Sequence, residues 1–145
     1  MLRPTDLAFN RALGICLAPD EADYLLELPF GPIVQNHLGT VHAAAQFALA
    51  EAASAECLPR TFGPAVGAVF AVVRSSEVKY RHGGTGDLLA YAVPDDPTRE
   101  NLIRELETRG RATAVVQVDL KDRSGGVTFH ARFEWFIAKT APGRT

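Results

Sequence analysis

The chain is predicted to fold as a single α+β domain in which one long buried helix is wrapped by an antiparallel β-sheet. Three features of its 145 residues carry that expectation. Residues 41–58 contain neither glycine nor proline but eight alanines, and are apolar nearly all round except at Gln46, Glu51, Ser54 and Glu56, the texture of a helix covered on most sides. Beyond Gly63 and Pro64 the sequence becomes β-rich. Its last two long segments alternate apolar and polar residues about a DRSGG turn, too polar on one face for a sheet covered on both sides.

Taken in order, Thr5 ahead of Asp6, Leu7, Phe9 and Leu13 predicts a short helix within residues 1–14, capped by the Thr5 hydroxyl and stopped by Gly14. Apolar runs at 15–18 and 23–30, punctuated by Pro19 and Pro29, predict two strands at the sheet edge, where a missing amide does least harm. The buried helix follows over 41–58 and should end at Pro59. Then AVGAVFAVV (65–73), SSEVKYR (75–81) and DLLAYAV (87–93) read as strands, with Ser76, Val78 and Tyr80 on one face and Glu77, Lys79 and Arg81 on the other. RHGGTGD, residues 81–87, lacks the Lys-Ser/Thr ending of a phosphate loop and reads as a hairpin turn. PTRENLIRELETR (97–109) opens on Pro97, sets Leu102, Ile103 and Leu106 at helical spacing and stops at Gly110, which predicts an amphipathic surface helix. RATAVVQVDL (111–120) and VTFHARFEWFIA (127–138) form a hairpin, and residues 140–145 are expected to fray.

Composition removes several function classes. Fifteen Lys and Arg against seventeen Asp and Glu, with no basic stripe, argue against a nucleic-acid partner. No stretch approaches the ~20 apolar residues that span a bilayer, and MLRPTDLAFN lacks the apolar core of a secretory signal, so a cytoplasmic protein with no membrane partner is expected. Cys16 and Cys57 have no second thiol or histidine at ligand spacing and read as small buried hydrophobes, while His37 and His42 lack the carboxylate of a zinc-binding helix. No metal is expected.

The segment that carries chemistry is NHLGTVHAAAQFALAE, residues 36–51. Gly39 and Thr40 supply a turn and an N-cap, so the helix starts near Val41 to Ala43 with its free amides pointing outward, an end that attracts developing negative charge. Glu51 stands on a face with Ala43, Phe47, Ala50 and Ser54, where a charge is costly unless partnered or used. Ala43 and Glu51 are eight residues apart, roughly 12 Å along the axis at ~1.5 Å per residue, so one small electrophile cannot touch both in one chain. Two copies packed with these helices antiparallel about a two-fold axis would bring them together twice, which predicts a homodimer with shared sites. An amide for an oxyanion, a carboxylate and the polar arm of Asn36 within apolar walls suit hydrolysis of an activated acyl group, a thioester above all.

The run Asn36, Gly39, Thr40, His42, Ala43, Ala44 and Glu51 resembles the signature of hotdog-fold acyl-CoA thioesterases of the phenylacetate-pathway type, in which Asn, Gly, His-Gly-Gly and an Asp or Glu nine residues after the His hold these spacings. It lies nearest the branch that reads N-H-x-G-T and ends in Ala-Glu, and the likeness extends over roughly residues 30–138. The resemblance implies a hotdog fold, with Glu51 as general base or nucleophile, the Ala43 amide on the thioester carbonyl, Asn36 positioning carbonyl or water, and His42 bracing the helix start. Gly39, Thr40, Ala44, Phe47 and Ser54 are candidate substrate contacts, and Arg81 or Lys79 a candidate contact for the coenzyme A phosphates. Acyl-CoA and a second copy of the chain, as a dimer or a tetramer, are the partners the resemblance implies; no cofactor is implied beyond the coenzyme A of the substrate. Two departures from the pattern stand out. His-Gly-Gly is here His42-Ala43-Ala44, which adds methyls where the thioester approaches, and the hydroxyl that relatives place one turn after the acid is replaced by Ala55, with Ser54 beside it. An acyl-CoA sensor or scaffold without turnover is therefore the alternative, and a hydratase or dehydratase, whose His-Phe-Pro-Gly run is absent, comes third.

Overall fold

The computed structural model describes residues 3–63, 68–95 and 99–140. A 3-10 turn, Pro4–Asp6, precedes helix α1 (Ala8–Leu13), which ends at Gly14 with φ 81°. Thr5 does not cap this helix, contrary to expectation. Pro4 at the head of the turn takes residues 4–6 into tighter winding, and an extended Leu7 (φ −68°, ψ 132°) separates the turn from α1. Two short strands follow, β1 (Cys16–Leu17) and β2 (Leu26–Leu28). Cys16 is exposed because two-residue β1 forms the sheet's outer edge, whereas Cys57 is buried as expected.

Helix α2 (Ala43–Phe62) runs for 20 residues, about 30 Å at ~1.5 Å per residue. It passes through Pro59 instead of stopping there. The missing Pro59 N–H deprives only the Ala55 carbonyl of its helical donor, and two residues on Thr61 Oγ1 donates to the Cys57 carbonyl within the same last turn. Gly63, at φ 62°, ends the helix.

The remaining elements are β3 (Val69–Tyr80), β4 (Leu88–Pro94), α3 (Arg99–Arg109), β5 (Arg111–Lys121) and β6 (Val127–Lys139). The two separate strands read at 65–73 and 75–81 are thus one strand, bent by a bulge at Arg74 whose guanidinium stacks on Phe136 at 4.2 Å. Residues 65–67, 97–98 and 141–145 of the predicted elements and tail lie outside the described residues.

All six strands form one antiparallel sheet in the order β1-β2-β4-β5-β6-β3. The β5–β6 hairpin is as predicted, with Val116, Val118, Leu120, Phe129, Phe133 and Ile137 buried on the inner face. Residues 81–87 are not a hairpin turn, because β3 and β4 lie on opposite sides of that hairpin and the segment must cross from one to the other. The sheet curves around α2, whose Leu49, Ala50, Ala52 and Ala53 are fully buried. Small side chains on this face let helix and sheet approach closely. Helix α3 lays Leu102 and Leu106 against the end of the same core.

Candidate active site

The head of α2 is built by two loops pressed together. Asn36 organises the first: its Oδ1 accepts from the Leu38 and Thr40 amides at 2.9 and 3.1 Å, and its Nδ2 donates to Thr40 Oγ1 at 2.8 Å. Gly39 sits at φ 75° within that turn, a conformation that favours glycine. The crossover 81–87 supplies the second loop, where the Gly84 carbonyl accepts from the Val41 amide at 2.8 Å and Gly83 packs so close to Thr40 that a Cβ would come within 2.9 Å of its side chain.

The helix cap is His42, not Thr40. Its backbone is extended (φ −60°, ψ 139°), and its Nδ1 accepts from the Ala44 amide at 2.9 Å. That leaves the Ala43 N–H, at the first helical position, with no acceptor among the described residues. His42, Ala43 and Ala44 are all exposed on the protomer. The helix therefore offers the amide of exposed Ala43, backed by the positive end of a 20-residue dipole.

Glu51 lies about two turns further along. It lines an apolar groove of about 600 Å³ between α2 and β3, with Ala55 and Leu58 from the helix, Ala71 and Val73 from the strand, and Trp135 from β6. The Glu51 carboxyl is half-buried, and burial pushes it above its ordinary value with no donor or cation among the described residues opposing the shift. The helix face that accompanies it is Ala55 and Leu58, whereas Ala50 and Ser54 point into the core. Ser54 Oγ donates to the Glu51 backbone carbonyl at 2.7 Å and accepts from Trp135 Nε1 at 3.0 Å, fixing the indole that lines the groove. Phe47 packs edge-on against Phe133, ring centroids 5.5 Å apart.

Within one protomer, then, Asn36, Gly39, Thr40, His42, Ala43 and Ala44 gather at the helix head, Arg81 stands exposed on the adjoining crossover, and Glu51 belongs to a separate groove. The groove walls from Pro4, Leu7 and Val69–Val73 were not anticipated. Only Trp135 carried a signal, through its place on the inward-facing stripe of β6.

A family model, Domain of unknown function (DUF4442), matches residues 16–137, from the first strand into the last. The chain belongs to this family. Among solved structures, one from Pseudomonas aeruginosa, a protein of unknown function described as a "probable thioesterase", is 25% identical with a TM-score of 0.79, the match covering 95% of this chain and 93% of that one. A Haemophilus influenzae thioesterase matches at 14% identity and TM-score 0.72, over 97% of this chain and 90% of its own. A Bacillus halodurans protein crystallised with CoA matches at 19% identity and TM-score 0.69, over 89% and 74%. No curated protein matches the chain. The architecture of this DUF4442 member is the hotdog fold of the thioesterase superfamily, and among its described residues no helix is long and apolar enough to cross a membrane.

Proposed function

We propose that the protein hydrolyses acyl-CoA thioesters as a homodimer with two shared sites. The observation that carries this reading is the Glu51 carboxylate, half-buried and unopposed in an apolar groove, in a helix whose head presents a free amide. The two groups are ~12 Å apart along one helix, so antiparallel packing of two α2 helices is what would join them. An exposed edge supports that packing. Among the described residues β3 has β6 as its only sheet neighbour, so one edge of a 12-residue strand is left unpaired, with Phe70 and Val72 exposed in its first half. Pairing β3 with its copy would continue the sheet and close the groove against the second protomer.

The relatives lend further support. A Staphylococcus aureus thioesterase of the same fold has been solved with a glutamine and, separately, a glutamate replaced by alanine, and those two positions are fifteen apart, the separation of Asn36 and Glu51 here.

In this scheme Glu51 takes a proton from a water whose oxygen adds to the thioester carbonyl carbon. The resulting oxyanion rests on the N–H of Ala43 of the partner subunit. The C–S bond then breaks with its electron pair leaving on sulfur, and the thiolate takes up the proton, giving a free acid and coenzyme A. If Glu51 instead attacks the carbonyl, an anhydride forms and water resolves it to the same products. The only cofactor chemistry required is the coenzyme A of the substrate. Release of thiol from short, medium, long and aryl acyl-CoAs tests the proposal, with Glu51→Gln expected to lower kcat by ~10²–10⁴-fold. Binding of acyl-CoA by the parent without thiol release would make it a sensor instead.

A further inference from the structure

Glu56 is not used by this chemistry, yet it is a carboxylate with only 3% exposure in the middle of α2. One of its oxygens accepts from Arg3 Nη2 at 2.9 Å and from Arg60 Nη2 and Nε at 3.1 and 3.2 Å. Arg60, one turn along the same helix, suffices to partner the buried charge. The Arg3 bond does something else: it ties the start of the chain to a point 53 residues away. The segment it ties is stiff. Asp6 N–H donates to the Arg3 carbonyl, Leu7 N–H and the Asn10 side chain donate to the Pro4 carbonyl, and Pro4 is buried. Pro4 and Leu7 both line the groove that holds Glu51, and Leu7 keeps 45% of its surface exposed. Arg3 thus anchors this wall to α2 at Glu56, five residues, or about 7–8 Å of helix rise, past Glu51.

We propose that Leu7 is the distal stop of an acyl-binding groove, a specificity-determining residue, and that Arg3 and Glu56 are positioning residues that hold the stop in place. This rests on the thioesterase reading. The occupant is the hydrocarbon part of a thioester whose carbonyl lies at Glu51: the groove is apolar apart from that one carboxylate, and its volume of about 600 Å³ falls in the range of small-ligand pockets. The wall beyond Glu51 limits the chain length admitted to short and medium or aryl groups.

The test measures kcat and KM for acyl-CoAs of graded length, alongside calorimetric affinities for non-hydrolysable acyl-CoA thioethers of the same lengths. Leu7→Ala is expected to shift the preference toward longer chains, raising kcat/KM for long relative to short substrates by about 10-fold or more, mainly through KM. Leu7→Trp should move it the other way. Arg3→Ala, which leaves Glu56 paired with Arg60 and so keeps the fold, should reproduce the Leu7→Ala shift, and Arg3→Lys should restore the parent profile. The thioether affinities should follow the same order. A length profile that Leu7→Ala, Leu7→Trp and Arg3→Ala all leave unmoved overturns the stop while leaving the thioesterase standing, whereas a parent that binds no thioether of any length overturns both. Loss of stability in Arg3→Ala with an unchanged length profile would make the clamp purely structural and also overturn it.

Discussion

Replacing Ala43 by proline would delete one N–H from the molecule while leaving the helix its shape. Ala43 is the first residue of α2, the position where a proline ring is best accommodated because the amide there has no helical acceptor. A proline also demands an extended residue before it, and His42 already sits at φ −60°, ψ 139°. No hydrogen bond among the described residues is lost, and the ring would project from an exposed site. The melting temperature should therefore stay within about 2 °C of the parent, as for other surface substitutions. If the amide holds the oxyanion, kcat should fall by ~10²–10³-fold, equivalent to about 2.7–4 kcal/mol of transition-state stabilisation.

The same variant asks whether the site is shared. Ala43→Pro and Glu51→Gln chains would each be nearly inactive alone. Mixed in equal amounts and allowed to exchange, half of the dimers would contain one of each, and every such dimer would regain one intact site, Glu51 of the proline-bearing chain facing Ala43 of the partner subunit. Activity should recover to roughly a quarter of the parent's. Thiol release by the mixture no faster than the sum of the two parts would refute a site built across two chains, and an undiminished kcat in Ala43→Pro would refute the role of the amide.

Two further outcomes follow from groups in and beneath the groove. Burial raises the Glu51 carboxyl above its usual 4.5, so ionising it costs stability, a cost absent below about pH 4.5 and complete once pH exceeds the folded-state value. Glu51→Gln should therefore melt above the parent at about pH 8, with the gap closing toward about pH 4, and the acid limb of kcat/KM in the parent should lie above the ordinary carboxylate range; a limb at or below 4.5 would remove Glu51 as the base. Ser54→Ala leaves the buried Trp135 indole N–H without its acceptor, a loss of about 1–3 kcal/mol, or about 3–10 °C in a thermal melt.

The parts of this architecture legible in the sequence are those governed by local pattern. The alanine-rich run of α2 and the alternation of β5 and β6 each state which face is covered, and the spacing from Asn36 to Glu51 is legible because a single loop and helix carry it. Other features depend on neighbours remote in the chain. Pro59 looks like a terminator, yet the tertiary contacts of Leu58 and Phe62 carry the helix past it. The glycines of residues 81–87 suit a hairpin as well as a crossover, and only the strand order distinguishes them. The groove draws its walls from the first seven residues, β3 and Trp135, so no window of sequence contains it. Ser54 shows the same limit: its spacing from Glu51 suggested the substrate side, but the indole of a strand 81 residues away draws its hydroxyl inward.

The close contact of Gly83 with Thr40 couples the substitutions that two loops can accept. Any side chain added at position 83 would displace the Thr40 methyl or hydroxyl, and that hydroxyl is what the Asn36 amide grips. A bulkier crossover could be tolerated only alongside a smaller residue at 40 and a rebuilt turn ahead of α2. If the groove takes acyl groups as proposed, changes of specificity are expected not at the helix head but in the walls of the trough, where Leu7, Ala71 and Val73 can change size without disturbing that grip.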